Sequence, residues 1–336
     1  MAVAALVVFL LSFALTGLVK LYAQRRLLDI PNDRSSHLQP TPRGGGLAIL
    51  LALAAGLLGF HQEIGLDQGL GLSMLALVPL VLMGFVDDHR GLSARSRFGV
   101  QVLAALWVFW ALGYPVPKEF SSSGFVSVAI ALPFALLLLT WFLNLYNFMD
   151  GIDGLAGSQL VFVFFAAALV HESQVGLSMF SGESQVAVLA GSATLGFLIW
   201  NWPPARIFMG DVGSGPLGFL IGVLLLSSTA RGELSLEVWF ILNGVFLIDA
   251  TLTLLVRLGR GDAWYQAHRT HAYQRASRRF ESHRTVTLGV SLINLSWLLP
   301  IALLAHHDPA HGGIYLSLAL GPLIALALHY RAGQPE

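Results

Sequence analysis

Five aspartates sit where long apolar runs give way to polar residues: Asp87 with Asp88, Asp150 with Asp153, and Asp211. The first two are adjacent and end an apolar run, in Gly84-Phe-Val-Asp87-Asp88. Neighbouring carboxylates repel, and at the C-terminal end of a helix they also face the negative end of its dipole. Such a pair calls for compensation by a cation or by Arg90, Arg95 or Arg97; the plain alternative is a solvated helix end. The second pair closes Asn144-Leu-Tyr-Asn147-Phe-Met-Asp150-Gly-Ile-Asp153-Gly, where polar residues recur every third position and neighbours share a helical face. Gly151 and Gly154 are expected to break the helix, so that two amides and two carboxylates converge on a tight bend. Asp-Gly pairs are ordinary turn formers, but a turn does not need two asparagines leading into it from an apolar helix.

Asp211 opens an apolar run behind Asn201-Trp-Pro-Pro-Ala-Arg206-Ile-Phe-Met-Gly210. A helix N-terminus there would present free N–H groups to a phosphate, or set an acid to hold a metal. The stretch lacks the Lys-Ser/Thr ending of a phosphate loop, and an N-capping Asp is the plainer account of Asp211 alone. Gathered in one place, the five acids would repel strongly without a cation. Hard oxygen donors, in a chain with no cysteine, suit Mg²⁺ or Mn²⁺. Mg²⁺ takes only one or two carboxylates and completes its shell with water and phosphate, which leaves other acids for positioning or proton transfer.

The basic complement is His268-Arg269-Thr-His271-Ala-Tyr273-Gln-Arg275. Two histidines three apart can share a helical face and, with the arginines, offer donors to phosphate; zinc would need a third ligand. The alternative is a basic loop resting on anionic lipid. Ser36-His37-Leu-Gln-Pro40-Thr-Pro-Arg43-Gly-Gly-Gly46 fixes an unusual backbone that would bring His37 and Arg43 toward a polar site. Asp249 is the one acid well inside an apolar run, a functional candidate by its position or a hydrogen-bond partner for a neighbouring helix. Acids with Mg²⁺, ringed by Arg and His at a membrane surface, describe phosphoryl transfer to a lipid.

The elements that must position these residues follow from composition. Of 336 residues 55% are hydrophobic and 11% charged, against about 25% charged in soluble domains, so lipid is the main solvent. The net charge of zero gives no reason to expect a nucleic-acid partner. Eleven runs have spanning length: about 2–20, 44–60, 69–86, 98–114, 125–146, 155–171, 185–200, 213–229, 236–257, 285–305 and 312–330, the second and seventh being short enough to tilt or re-enter. The first is longer than a signal-peptide core and has no positive charge ahead of it, so a retained helix is expected. Alternating the loops places every one of the 19 basic residues except Lys118 and Arg231 on one side, which marks that side as cytoplasmic. The expectation is one all-α polytopic domain, 1–336, in a bacterial inner membrane, with a periplasmic N-terminus and a cytoplasmic C-terminus. Cytoplasmic loops 21–43, 87–97, 147–154, 201–212 and 258–284 would form its site.

From Asp29-Ile-Pro-Asn-Asp-Arg-Ser-Ser-His37 to the histidine loop, the sequence resembles the polyprenyl-phosphate N-acetylhexosamine-1-phosphate transferases, the glycosyltransferase 4 family of MraY and WecA. The Asp-Asp pair, the Asn-x-x-Asn-x-x-Asp-Gly-x-Asp-Gly stretch and Phe208-Met-Gly-Asp211-Val-Gly-Ser follow in family order. The resemblance implies transfer of a sugar-1-phosphate from a UDP-N-acetylhexosamine to undecaprenyl phosphate, with UMP released, and it suggests a homodimer. Asp211 would bind Mg²⁺, and Asp87 and Asp88, with Asp150 and Asp153, would be the catalytic acids. Asn147 and Asn201, joined by Asn144, would line the nucleotide-sugar site, and Arg97 would contact phosphate, alongside Arg43, His268, Arg269 and His271. The muramoyl-pentapeptide branch carries three consecutive histidines where this chain has His268-Arg-Thr-His271, which with Pro-Thr-Pro-Arg-Gly-Gly-Gly resembles the branch initiating O-antigen lipopolysaccharide. N-acetylglucosamine is the plain choice of sugar, followed by N-acetylfucosamine and N-acetylquinovosamine. Two rivals stand beside this: the muramoyl-pentapeptide substrate, and a proton-coupled transporter. A transporter would place ionisable groups near the midplane and show related halves, whereas only Asp249 lies inside and no repeat is present.

Overall fold

In lipid an unpartnered backbone N–H or C=O is costly, so a spanning segment satisfies its hydrogen bonds within itself as a helix. The computed structural model describes residues 1–31, 39–116, 124–175, 181–262 and 268–335, and their regular structure is almost wholly helical. In chain order the helices are α1 (Ala2–Arg26), α2 (Gly46–Gly59), α3 (Gln68–Met74), α4 (Leu77–Arg90), α5 (Ala94–Ala111), α6 (Gly124–Met149) and α7 (Leu155–Val175). There follow α8 (Gly182–Asn201), α9 (Asp211–Arg231), α10 (Leu236–Leu242), α11 (Gly244–Gly259) and α12 (Ala272–Phe280). The last three are α13 (His283–Ile293), α14 (Leu299–His307) and α15 (Gly312–His329). A two-residue antiparallel pair, β1 (Leu28–Asp29) with β2 (Thr41–Pro42), is the one sheet among the described residues.

Among the described residues eight segments are long and apolar enough to cross a membrane: α1, α3 with α4, α6, α7, α8, α9, α13 with α14, and α15. The protein is a polytopic all-α membrane protein. Of the two runs expected to be short, α8 reaches 20 residues, while α2 has 14, about 21 Å at 1.5 Å per residue and less than a bilayer core. The fourth run, α5, is not among the eight. The ninth, expected as one continuous span over 236–257, is instead two helices bent by 83°. At the bend the Asn243 side chain donates to the Trp239 carbonyl and accepts from the Tyr146 hydroxyl, and Gly244 packs against Leu320 and Leu323.

The core is α9, buried without a break from Val212 to Thr229; a helix apolar on every side belongs at the centre of a bundle. The outer helices show the reverse, with Leu6, Leu10 and Leu21 of α1, Leu292 of α13 and Ile314 of α15 all exposed, the surface that lipid solvates. Two glycines set how closely α2 and α4 approach the first turn of α9. A Cβ on Gly46 would stand 2.1 Å from the Gly213 Cα, and one on Gly84 would stand 2.4 Å from the Asp211 carbonyl oxygen. Close backbone approach through small residues is how helices associate in lipid. Gly84→Ala is therefore expected to destabilise by about 1–3 kcal/mol, as overpacking does, lowering the melting temperature in detergent. A variant melting with the wild type would contradict this packing.

Candidate active site

Gly210, at φ +76°, turns the chain into α9. The carboxylate of Asp88 accepts the Asp211 and Val212 N–H groups at 3.3 and 3.1 Å. The free N–H groups expected to await a phosphate are thus already occupied, because α4 brings an acid across them. Arg43 donates to the Asp88 carbonyl, and its Nε lies 3.7 Å from the carboxylate. A short ladder holds Arg43 in place: Phe208 N–H donates to Pro42 O, Gly45 N–H to Phe208 O and Gly46 N–H to Met209 O, at 2.8, 2.9 and 2.9 Å.

Asp87 faces another way. It accepts from Leu92 N–H at 2.6 Å and from Arg97 at 3.0 Å. Of the arginines expected to compensate the pair, Arg97 does so, and it also stands 4.0 Å from the second carboxylate oxygen of Asp211. The first oxygen of Asp211 accepts from the Asn147 amide at 2.7 Å. About one turn earlier, Asn144 donates to Gln101 and to the Thr140 carbonyl. Asp150 lies just beyond the end of α6 and accepts from the Gly210 backbone. Burial, and then the charges of Asp211, Asp88 and Asp153, push its carboxyl well above the ordinary carboxylate range.

Asp153 and Asn201 brace the site. Asp153 accepts from Ala205 N–H at 3.0 Å and lies 3.2 Å from His283 Nδ1, and its carbonyl accepts from Thr287. Asn201 accepts from Gly154 N–H and donates to the Ile207 carbonyl, at 3.0 and 2.9 Å. Both halves of that amide are engaged by backbone, which makes it a clamp between loops.

The histidine loop also departs from expectation. Helix α12 begins at Ala272, so His268 and His271 share no helical face; their rings stack instead, with centroids 4.9 Å apart. Burial, followed by the nearby His271 and Arg257, pushes His268 down to about 4, so it is neutral at neutral pH. The Arg269 carbonyl accepts from Arg278. The Tyr273 hydroxyl donates to the Phe148 carbonyl at 3.0 Å, and a Cβ on Gly151 would stand 2.1 Å from the Tyr273 hydroxyl oxygen. Segments 87–97, 147–154 and 201–212, with the described parts of 21–43 and 258–284, are thus joined by direct contacts. Arg34, His37 and Lys118 lie outside the described residues.

Beside Asp211 opens a cleft of about 370 Å³. Asp87, Arg97, Asn144, Asn147 and Asp211 line its polar end, and Phe98, Leu137, Trp141 and Leu254 line its wall. Asp88 does not line it. Gln101 and His283 were missed in the sequence. A lone amide in an apolar run could have flagged Gln101, whereas nothing in the spacing sets His283 against Asp153.

The raised Asp150 carboxyl binds its proton more tightly in the folded than in the unfolded state. Its cost to stability is absent below the ordinary carboxylate range and grows as pH rises from there toward the raised value. With chelator present, Asp150→Asn is expected to raise the melting temperature by a few degrees at about pH 7, and the gain should vanish near about pH 3.5. A gain of equal size in acid would sink this account.

A family model described as glycosyl transferase family 4 matches residues 70–229. The decaprenyl-phosphate N-acetylglucosaminephosphotransferase of Mycolicibacterium smegmatis is 29% identical, over 98% of this chain and 88% of its own. A probable undecaprenyl-phosphate N-acetylglucosaminyl 1-phosphate transferase of Bacillus subtilis is 28% identical, over 87% and 81%. The phospho-N-acetylmuramoyl-pentapeptide-transferase of Frankia casuarinae is 31% identical, over 72% and 76%. On these matches, which span most of both partners in each pair, the chain belongs to glycosyl transferase family 4.

Proposed function

We propose that the protein transfers N-acetylglucosamine-1-phosphate from its UDP-sugar to undecaprenyl phosphate, releasing UMP and initiating an O-antigen type of lipopolysaccharide glycan. The observation that carries this is the cleft, whose polar end holds Arg97 and Asp211 and whose wall is apolar; a phosphate on an isoprenoid chain has that division. Two of the relatives above carry N-acetylglucosamine in their names and one carries muramoyl-pentapeptide, which puts N-acetylglucosamine first. The one-sided distribution of basic residues supports a site on the cytoplasmic face of the inner membrane.

The donor set fits a divalent cation. Asp211 and Asp150 repel each other, and among the described residues Arg97 is the one cation paired with Asp211. Among the described residues no three carboxylates or histidines are arranged to hold a metal unaided, as suits an ion that takes one or two carboxylates and otherwise water and phosphate. Asp211, with Asp150 beside it, would hold Mg²⁺, which when bound neutralises charge on the diphosphate and the leaving UMP.

In the transfer, an oxygen of the lipid phosphate forms a bond to the β-phosphorus. The bond from that phosphorus to the bridging oxygen breaks, and UMP leaves with the electron pair. Arg97 holds the attacking phosphate at the polar end of the cleft, and Asp87 holds Arg97. A phosphate monoester has its second pKa near ~6 and is largely dianionic at neutral pH, so positioning outweighs proton removal. Asp88, with both oxygens engaged by α9, keeps the helix start in place. His268, Arg269 and His271 supply donors for the phosphates of the nucleotide.

The test is UMP release by purified protein from UDP-N-acetylglucosamine, undecaprenyl phosphate and Mg²⁺. Release is expected to need the lipid phosphate, and to fall at least ~100-fold in Asp211→Asn, the scale of removing one preorganised charge. One phosphoanhydride replaces another, so labelled UMP should exchange back into UDP-sugar. Silence from folded protein across UDP-N-acetylhexosamines and UDP-muramoyl-pentapeptide would overturn the proposal.

A further inference from the structure

Gln101 is the one polar side chain on α5 between Phe98 and Ala111, it is only 5% exposed, and the transfer as described does not use it. It lines the cleft beside Asp211. Arg97, Phe98 and Gln101 of α5 line that cleft together with Thr140, Asn144 and Asn147 of α6. The spacing of three or four residues keeps each set on one face of its helix.

The hydrogen bonds fix which way the Gln101 amide points. Asn144 donates from Nδ2 to the Thr140 carbonyl at 2.7 Å and to Gln101 at 3.0 Å. A carbonyl only accepts, so the Asn144 atom that serves both contacts is the nitrogen, and the Gln101 atom that meets it is Oε1. Gln101 Nε2 is therefore directed elsewhere, and among the described residues it meets no acceptor. Asn144 has spent both of its N–H groups within the wall, whereas the two of Gln101 are unspent. A buried donor without a partner is costly, so an occupant of the cleft that brings an oxygen to this level is favoured.

Depth decides which oxygen. Helix α5 starts at Ala94, close to Asp87, which accepts from Leu92 N–H, and it runs away from that acid. Gln101 thus lies about 6 Å farther along the helix than Arg97. Asn144 likewise precedes Asn147, the residue that holds Asp211, by about one turn. The amide pair stands between the charged end of the cleft and Leu137 on its wall. In a polyprenyl phosphate that is the junction of phosphate and hydrocarbon, and beyond its phosphate such a lipid has no oxygen to offer.

We propose that Gln101 binds the lipid acceptor, donating from Nε2 to an oxygen of its phosphate on the membrane side of Arg97, with Asn144 holding the amide in that orientation. This rests on the transferase reading above and adds a contact to it.

The test separates recognition of the phosphate from packing of the wall. Purified protein in detergent is titrated with undecaprenyl phosphate and, separately, with undecaprenol, and binding is read from the rise in melting temperature. The wild type is expected to bind the phosphate more tightly than the alcohol. In Gln101→Met, which keeps the volume and removes the donor, that preference should shrink roughly tenfold, the scale of one hydrogen bond to a charged group. Binding of the alcohol should not change. In the assay, KM for undecaprenyl phosphate should rise by a similar factor, and KM for UDP-N-acetylglucosamine by less than about twofold, since only acceptor binding is removed. Gln101→Ala, which only takes atoms away, serves in its place if the methionine variant does not fold. A wild type without preference for the phosphate, an unchanged preference in the variant, or an equal loss of phosphate and alcohol binding overturns the inference. So does a rise confined to KM for the UDP-sugar. Absence of UMP release with every UDP-sugar would defeat the transferase reading, while the two titrations would still report on Gln101.

Discussion

At the start of α9 two backbone N–H groups point into a region that lipid does not solvate, and the carboxylate of Asp88 accepts both. Much else is arranged around that contact. Gly84 and Gly46 must be small so that α4 and α2 come close enough to deliver it. Arg43 neutralises it and is itself held by the ladder between 42–46 and 208–209. Once the cap is set, Asp211 is the first residue of α9 and its carboxylate is aimed by Asn147 from α6. An acid that looks catalytic by its neighbours thus acts as the keystone of the helix that carries another acid.

The same economy explains how so many carboxylates share one place. Asp87 and Asp88 are adjacent in sequence but turn to different cations, Arg97 and Arg43. Asp153 is turned away to Ala205 and His283. The negative charge left is concentrated at Asp150 and at Asp211, which has Arg97 4.0 Å away, and a cation would be most strongly drawn there. Asp249 repeats the device of Asp88 at a second helix start, α12. In both cases a carboxylate from another helix fixes where a helix begins, and so fixes the side chains of its first turn.

The spanning helices were legible because hydropathy is a local property and lipid leaves a chain few alternatives to helix. The break after Met149 was legible for the same reason, through Gly151 and Gly154. The bent ninth run was not, since its composition is that of a straight span and the bend depends on Asn243 bonding to Tyr146. Nor was the start of α12, which is set by an acid more than twenty residues upstream. Asp87 and Asp88 are identical in type, and only the fold separates one that lines the cleft from one that caps a helix. Asn201 and Asp153 carry the right chemistry for a substrate, but their partners, backbone groups and for Asp153 also His283, are ones that no spacing rule reveals.

The cleft wall has a consequence for how rates must be expressed. Phe98 and Leu137, on its lining, are among the exposed apolar side chains, so in the proposed reaction a lipid acceptor would enter sideways from the hydrocarbon, while a nucleotide would enter from water. The two substrates then have concentrations in different dimensions, one per unit of membrane area and the other per unit of volume. Added detergent dilutes the first without touching the second. Saturation by the acceptor is set by its mole fraction in the micelle or bilayer, and a crowded patch of membrane can drive the enzyme as effectively as a larger total supply.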